Sequence, residues 1–128
     1  HMTFKTMLNN TLTEQMRLKG GGDVGVGTTN PDGRFHIHNS SAGSVTANGD
    51  ANELVVENGG SGGISILTPA ANQGEIAFGD PDDNNVGRFA YNHPGNYFAI
   101  VAAASEIMRI SGSGNVGIVI QIVSLEQI

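Results

Sequence analysis

Glu14-Gln15-Met16-Arg17-Leu18-Lys19-Gly20-Gly21-Gly22-Asp23-Val24-Gly25-Val26 decides the fold, because the chain writes it twice. It returns as Glu106-Ile107-Met108-Arg109-Ile110-Ser111-Gly112-Ser113-Gly114-Asn115-Val116-Gly117-Ile118, each residue 92 positions after its counterpart and with no gap. Glu, Met, Arg, two Gly, Val and a further Gly are identical, and most of the rest are close exchanges. Met16 and Leu18 alternate with Arg17, as Met108 and Ile110 do with Arg109, which is the period of a strand with one apolar face. The arginine on the other face lies on the side of Glu14 or Glu106 and should pair with a carboxylate of its own or a neighbouring chain. Self-similarity at a fixed spacing marks an array that reuses one supersecondary unit. The chain therefore reads as one module of an extended protein, with the next just begun.

Working outward, Thr3 to Met7 alternates like a strand, Leu8-Asn9-Asn10 turns, and Thr11 to Lys19 returns. Near the other end Asn96 to Val101 goes out, Ala102-Ala103-Ala104 turns, and Ser105 to Ser111 comes back. Matching Phe4 to Phe98 gives the first hairpin a loop two residues longer. Between the copies, strands are expected at Gly33–His38, Glu53–Glu57, Gly63–Thr68, Glu75–Gly79 and Gly87–Tyr91, bounded by Pro, Gly, Asn and Asp turns. Short strands at such spacing give an all-β fold of hairpins. The expected division is a cloning remnant at 1–2, a first hairpin with a Gly-rich linker at 3–27, and a central β module at 28–118 that ends in the second hairpin. Residues 119–128 read either as a buried apolar strand or as a short trimeric coil, since Ile118, Ile122 and Leu125 also fit a coiled-coil seam.

Composition narrows the function. Nineteen Gly, no Trp and interrupted apolar runs leave little for a monomer's own core. Two remedies stand: partial disorder, or a core shared between identical chains, with the recurrent Ile, Val and Phe strands favouring the second. A formal charge of −6 without a Lys/Arg cluster lacks the footprint of a nucleic-acid binder. Without cysteine there is no disulfide framework and no Cys-based zinc site. No apolar stretch is long enough for membrane insertion, and no signal peptide is visible.

The two Glu-x-Met-Arg stretches with their Gly-rich turns resemble repeats of bacteriophage tail-fibre and tail-spike-like proteins. Val24 to Pro31 looks like the linker of those repeats. Phe35-His36-Ile37-His38-Asn39, Ile76 to Asp80 and Val86 to His93 match further segments in the same order. The resemblance implies a homotrimeric adhesin, with chains intertwined or side by side in a β-prism-like fibre module. It also implies an extracellular place in a virion tail fibre and a structural or host-receptor-binding role, with a host surface glycan as partner. The pattern breaks after Ile118, where the first copy continues Gly27-Thr28-Thr29-Asn30-Pro31 and the second Val119-Ile120-Gln121, so the array is expected to stop. A polysaccharide-degrading tail spike and a bacterial surface adhesin repeat are the competing classes.

No motif commits the chain to catalysis or to a cofactor. Gly20-x-Gly22-x-x-Gly25 and its second copy fit the dinucleotide glycine spacing, yet no helix follows either, so both read as hairpin turns. The carboxylates Asp50, Glu53, Glu57, Glu75 and Asp80–Asp83 sit in turns or at strand ends, where solvated charge is ordinary. Asp80 to Asn85 begins like a calcium loop but lacks its sixth-position Gly and twelfth-position Glu, so an Asx-rich turn suffices. His36 and His38 share a strand face, and on a trimer axis three such pairs would be the donor set of an octahedral metal site. The resemblance implies metal there; Phe35 and Ile37, as the more natural buried face, would instead leave both histidines outside. Receptor contact is expected in loops, at Asp82 and Asp83 and at the turn carrying Tyr91, Asn92, His93, Asn96 and Tyr97. There two rings and several hydrogen bonders suit a sugar, or else the tyrosines pair and stiffen the hairpin.

Overall fold

A computed structural model describes residues 1–119 of the chain. The described residues are all β, without a helix. They form two units, His1–Ile64 and a second from Ser65 onward. The first holds a sheet ordered β1-β2-β3-β4-β5, from β1 (Met2–Leu8), β2 (Thr11–Leu18), β3 (Val24–Val26), β4 (Phe35–His38) and β5 (Leu54–Glu57). The pairs β1·β2 and β2·β3 are antiparallel; β3·β4 and β4·β5 are parallel. The second unit is an antiparallel meander of β6 (Gln73–Phe78), β7 (Gly87–Asn92), β8 (Tyr97–Ala102), β9 (Ser105–Ser111) and β10 (Val116–Ile118).

The duplicated sequence folds twice in the same way, down to single hydrogen bonds. Lys19 N–H donates to Asp23 C=O and Ser111 N–H to Asn115 C=O; Gly27 N–H donates to Gln15 C=O and Val119 N–H to Ile107 C=O. The tight turns place Gly22 and Gly114 at φ 92° and 85°, so the dinucleotide-like glycines serve hairpins. Each ladder also slips by one residue at the same place. Lys5 faces Glu14 and Phe4 faces Met16, leaving Gln15 as a bulge; Val101 faces Glu106 and Ile100 faces Met108, leaving Ile107. The bulge turns Glu14 and Arg17, three apart, onto one face. Arg17 Nε and Nη2 then donate to the two Glu14 carboxylate oxygens at 2.7 and 3.0 Å, and Arg109 repeats this on Glu106 at 2.8 and 2.8 Å. The arginine thus pairs within its own strand.

This register corrects the loop comparison. Phe4 corresponds to Ile100, because both face the methionine, whereas Phe98 faces Ile110 as Met2 faces Leu18. Both hairpins close on two residues, Asn9-Asn10 and Ala103-Ala104, all four at φ between 48° and 61°. The extra length of the first hairpin lies in two additional rungs of ladder, and the loops are equal. Two other expectations change. Val24–Val26, read as the start of a linker, is a strand paired on both sides, and the two compact units meet in the sequence at Ile64/Ser65. Gly63–Thr68 joins no ladder among the described residues, since alternation makes a strand only where a neighbour offers hydrogen bonds. The terminal run read as strand or coil lies outside the described residues from Ile120 onward.

Each sheet has one apolar and one polar face. In the first unit Phe4, Met16, Val26, Ile37 and Val56 follow one another across the strands, beside a row of Met2, Leu18, Val24, Phe35 and Leu54. In the second, Ile76, Phe89, Ile100, Met108 and Ile118 form one row, and Tyr91, Phe98, Ile110 and Val116 another. These faces are largely bare: Phe4, Leu54, Ile76, Phe89, Phe98 and Ile118 are each half or more exposed. Among the described residues, the buried apolar side chains of the strands are Ala90, Ala99 and Val101, beneath the polar face of the second sheet. There the Arg109 guanidinium lies 3.7 Å from the Tyr97 ring centroid.

Ala is a poor residue for a turn that needs positive φ at both positions. Replacing Ala103 and Ala104 by Asn and Gly should raise stability by about 1 kcal/mol in thermal melts. No gain would mean that the turn does not have this backbone.

Candidate functional site

The most enclosed polar cluster joins β4, β5 and the loops around them. His36 lies opposite Gly25 of β3 on one side and Val55 of β5 on the other. A Cβ on Gly25 would stand 2.6 Å from Thr28 C=O, so only glycine lets the Thr28–Gly33 loop fold down over the polar face. The loop encloses the His36 side chain, which is 2% exposed, and Asp32 N–H donates to His36 Nδ1 at 3.1 Å. Nε2 lies 3.2 Å from Glu57 Oε2, off the line of a hydrogen bond. His38 Nε2 is 3.8 Å from Glu57 Oε1, and the two imidazoles meet edge to face at 5.7 Å. Glu57 Oε1 also accepts from Ala42 N–H at 2.7 Å. That bond first, then His38 and His36, hold the Glu57 carboxyl below its ordinary value, against the desolvation that raises it.

This inverts the sequence expectation for β4: the histidines face inward, and Phe35 and Ile37 are each 39% exposed. The cause is the polar lid. A strand whose hydrogen-bonding face is covered by its own loops leaves its apolar face uncovered. An axial metal site would need both imidazoles open to neighbouring chains, and His36 is closed. Asp32, His36 and Glu57 do offer ligand atoms within 4.8 Å of one another. A metal-bound imidazole, however, gives a lone pair from one nitrogen and donates N–H from the other. Here a backbone N–H occupies the Nδ1 lone pair, so in the neutral ring Nε2 carries the proton and faces the carboxylate. The cluster sets the imidazole beside a carboxylate without a hydrogen bond between Nε2 and Glu57. A carboxyl whose pKa is lowered is also poorly suited to act as a general acid. Asp32 and Glu57 line a cavity of about 340 Å³ with Ala42, Val45, Thr46 and Val55.

The loop residues expected to touch a receptor are not gathered into one surface. Asp80 Oδ1 accepts from Asp82 and Asp83 N–H at 2.9 and 2.8 Å, and Asp83 Oδ1 from Asn85 N–H at 2.9 Å. Two carboxylates of that loop are therefore spent on its own backbone, in the manner of an Asx turn. In the β7–β8 turn, Tyr91 faces Phe98 and Asn92 faces Tyr97, so the two tyrosines lie on opposite faces of the sheet and do not pair. Tyr91 stacks edge to face on Phe98 and His93, at 4.7 and 5.1 Å, and its hydroxyl bonds Asn96 Oδ1. Asn92 Oδ1 accepts from Gly95 N–H at 2.7 Å. Tyr91, His93 and Asn96 thus form one group, and Tyr97 belongs to another with Arg109.

The contact of His36 with Glu57 was not visible in the sequence, because the β4–β5 crossover separates them and no local pattern reports its register; Asp32 lies only four residues before His36, a local contact. Compared with described protein families and with characterised proteins, the chain matches none.

Removing the buried imidazole should destabilise the first unit: His36→Ala is expected to cost about 2–4 kcal/mol in denaturant unfolding. His36→Asn can return an acceptor near the Nδ1 position and should recover part of this; equal losses for Asn and Ala would contradict the Asp32 N–H bond as its anchor. Acid acts on three carboxylates together. Glu14 and Glu106, bonded by Arg17 and Arg109, and Glu57 all titrate below their ordinary 4.5. Carboxyls with lowered folded values contribute stability above 4.5 and lose it as pH falls through those lowered values. Melting temperature should therefore decline as pH drops below 4.5, and a level profile down to about pH 3 would refute the three contacts.

Proposed function

We propose that the chain is a structural, non-catalytic module of a fibrous host-attachment assembly, a phage tail fibre, in which three copies close their apolar sheet faces on one another. One observation carries this reading: the apolar face of each sheet is bare, while among the described residues the buried apolar side chains of the strands are two alanines and a valine. Exposed apolar faces of this extent are covered by protein partners. The repeat supports identical partners, because its two copies present the same row: Met16, Leu18, Val24 and Val26, then Met108, Ile110, Val116 and Ile118. The order of motifs shared with tail-fibre repeats supports the trimer and the setting outside the cell. Receptor contact then belongs to the turns at the rim of the faces, above all the Tyr91–His93–Asn96 group.

Light scattering on the eluting protein is expected to give a particle of three 13.3 kDa chains, with a melting temperature that rises with concentration. A folded, stable species at the mass of one chain would overturn the reading. On a glycan array the trimer should lose binding with Tyr91→Ala and keep it with Tyr97→Ala. A trimer that binds no glycan would assign the module to the shaft of the fibre.

A further inference from the structure

The chain contains Asn-Gly twice, at Asn48-Gly49 in the crossover from β4 to β5 and at Asn58-Gly59 just after β5. This dipeptide carries a chemistry of its own. With no Cβ in the way, the glycine amide nitrogen can approach the side-chain carbonyl carbon of the asparagine, whose amide group can leave as ammonia. The reaction needs a free nucleophile, a free leaving group and a backbone that can bend to close the ring. The fold treats the two sites in opposite ways.

At Asn58 every participant is tied. Gly59 N–H donates to Ser40 Oγ at 2.8 Å, and Asn58 Nδ2 donates to Ser61 C=O at 2.6 Å. Asn58 Oδ1 accepts from Asn39 Nδ2 at 3.0 Å and from Ser40 Oγ at 2.8 Å. The backbone is pressed in place as well, since a Cβ on Gly59 would stand 2.6 Å from Ser41 C=O. Asn48 and Gly49 are instead exposed, with open space around the glycine. Among the described residues neither Gly49 N–H nor Asn48 Nδ2 has a hydrogen-bond partner. The turn is closed by one backbone bond, from Ala51 N–H to Asn48 C=O at 3.0 Å, so little must break for the ring to form. The bond that the Asn48 side chain does make is to its oxygen, where Asp50 N–H donates at 2.9 Å. Negative charge gathers on that oxygen as a nitrogen adds to Cγ, so a donor already stands where the transition state needs one.

We propose that Asn48 is a site of self-modification, converted to aspartate and isoaspartate by its own Gly49, while the fold protects Asn58. The bond from Gly49 N to Asn48 Cγ forms, the Cγ–Nδ2 bond breaks, and the amide proton of Gly49 departs with that nitrogen as ammonia. Water then opens the resulting succinimide at either carbonyl, giving aspartate at one and isoaspartate at the other. Each event replaces a neutral amide by a carboxylate, adding one negative charge to a chain of formal charge −6. The isoaspartate product also routes the backbone through the side-chain carbon. It thereby lengthens the crossover whose Val45, Thr46 and Ala47 line the cavity beside Glu57. The site goes beyond the proposed function and does not rest on it.

The test incubates the whole protein in mildly alkaline buffer and follows both asparagines by peptide mass spectrometry, with fragmentation telling isoaspartate from aspartate. Conversion at Asn48 should outpace that at Asn58 by about tenfold or more, because Asn58 must first open locally. In denaturant the gap should close, since both dipeptides are then equally free. Gly49→Ala, whose Cβ would meet nothing within 4 Å, should all but abolish conversion at Asn48 and leave the melting temperature unchanged. Ser40→Ala releases Gly59 N–H and should speed conversion at Asn58. Equal rates at the two sites of the folded protein, or an inert Asn48, would overturn the proposal. A gap of the same size in denaturant would trace the selectivity to neighbouring residues and overturn the part given to the fold. An Asn58 that stays inert in Ser40→Ala would overturn the protection assigned to the Ser40 bond.

Discussion

The bidentate bond between Arg17 and Glu14, doubled by Arg109 and Glu106, exists because each strand carries one residue too many for its ladder. In a regular strand, positions three apart face opposite ways. The bulge at Gln15 or Ile107 adds the half-step that brings acid and base to one side and sends Met16 and Leu18, or Met108 and Ile110, to the other. That sorting passes from strand to strand through the register. Val24 and Val26 continue the apolar side of the first sheet, Phe35 and Ile37 take it up in parallel, and Leu54 and Val56 end it. The charged side inherits Gly25, His36 and Val55, and on that side the chain supplies its own cover. The division into a face closed by the chain itself and a face left bare is thus set at the bulge.

A face left bare has thermodynamic consequences. At about 25 cal/mol for each Å² of apolar surface removed from water, burying a few hundred Å² of each sheet contributes several kcal/mol per chain. Ala90, Ala99 and Val101 cannot contribute on that scale, because two of the three have almost no side chain to bury. Under the proposed trimer, stability would reside between chains, and folding and assembly would become a single event. The high glycine content fits this arrangement. Gly25 lets a loop close over His36, and Gly33 brings the chain so near Asn52 that a Cβ would stand 1.9 Å from its carbonyl oxygen. Such close backbone contacts cover the polar side without enlarging an internal core.

Much of the fold was legible because it was repeated. The alternation in Met-Arg-Leu and Met-Arg-Ile, the Asn9-Asn10 turn and the Gly-rich turns each have local causes, and all appear where the sequence put them. What failed depended on pairing. Phe4 was matched to Phe98 by residue type, while the ladder matches it to Ile100, because two extra rungs look like a longer loop when partners are unknown. The tyrosines were grouped by nearness in sequence, and the register separated them onto opposite faces. Gly63 to Thr68 has the composition of a strand and no neighbour to make it one. For the candidate site the failure was one of sign. The chain had the right residues, His36 and His38 on one face, but apolar residues were assumed to be the buried ones. That rule presumes a chain that closes its own core.

The point at which the two copies part has a steric reason. Gly27 and Val119 hold equivalent positions and make the same bond, to Gln15 C=O and to Ile107 C=O. After that bond the first copy turns sharply: Gly27 has φ 77°, and a Cβ there would stand 2.0 Å from the His38 carbonyl oxygen. Only glycine can take this turn and let the chain cross back to lay β4 alongside β3. A β-branched valine is excluded twice, by the positive φ and by the absent space. The second copy therefore follows the first through the hairpin, the bulge, the ion pair and the short third strand. Val119 stands where the first copy has this left-handed glycine, and it is the position at which the two sequences cease to match.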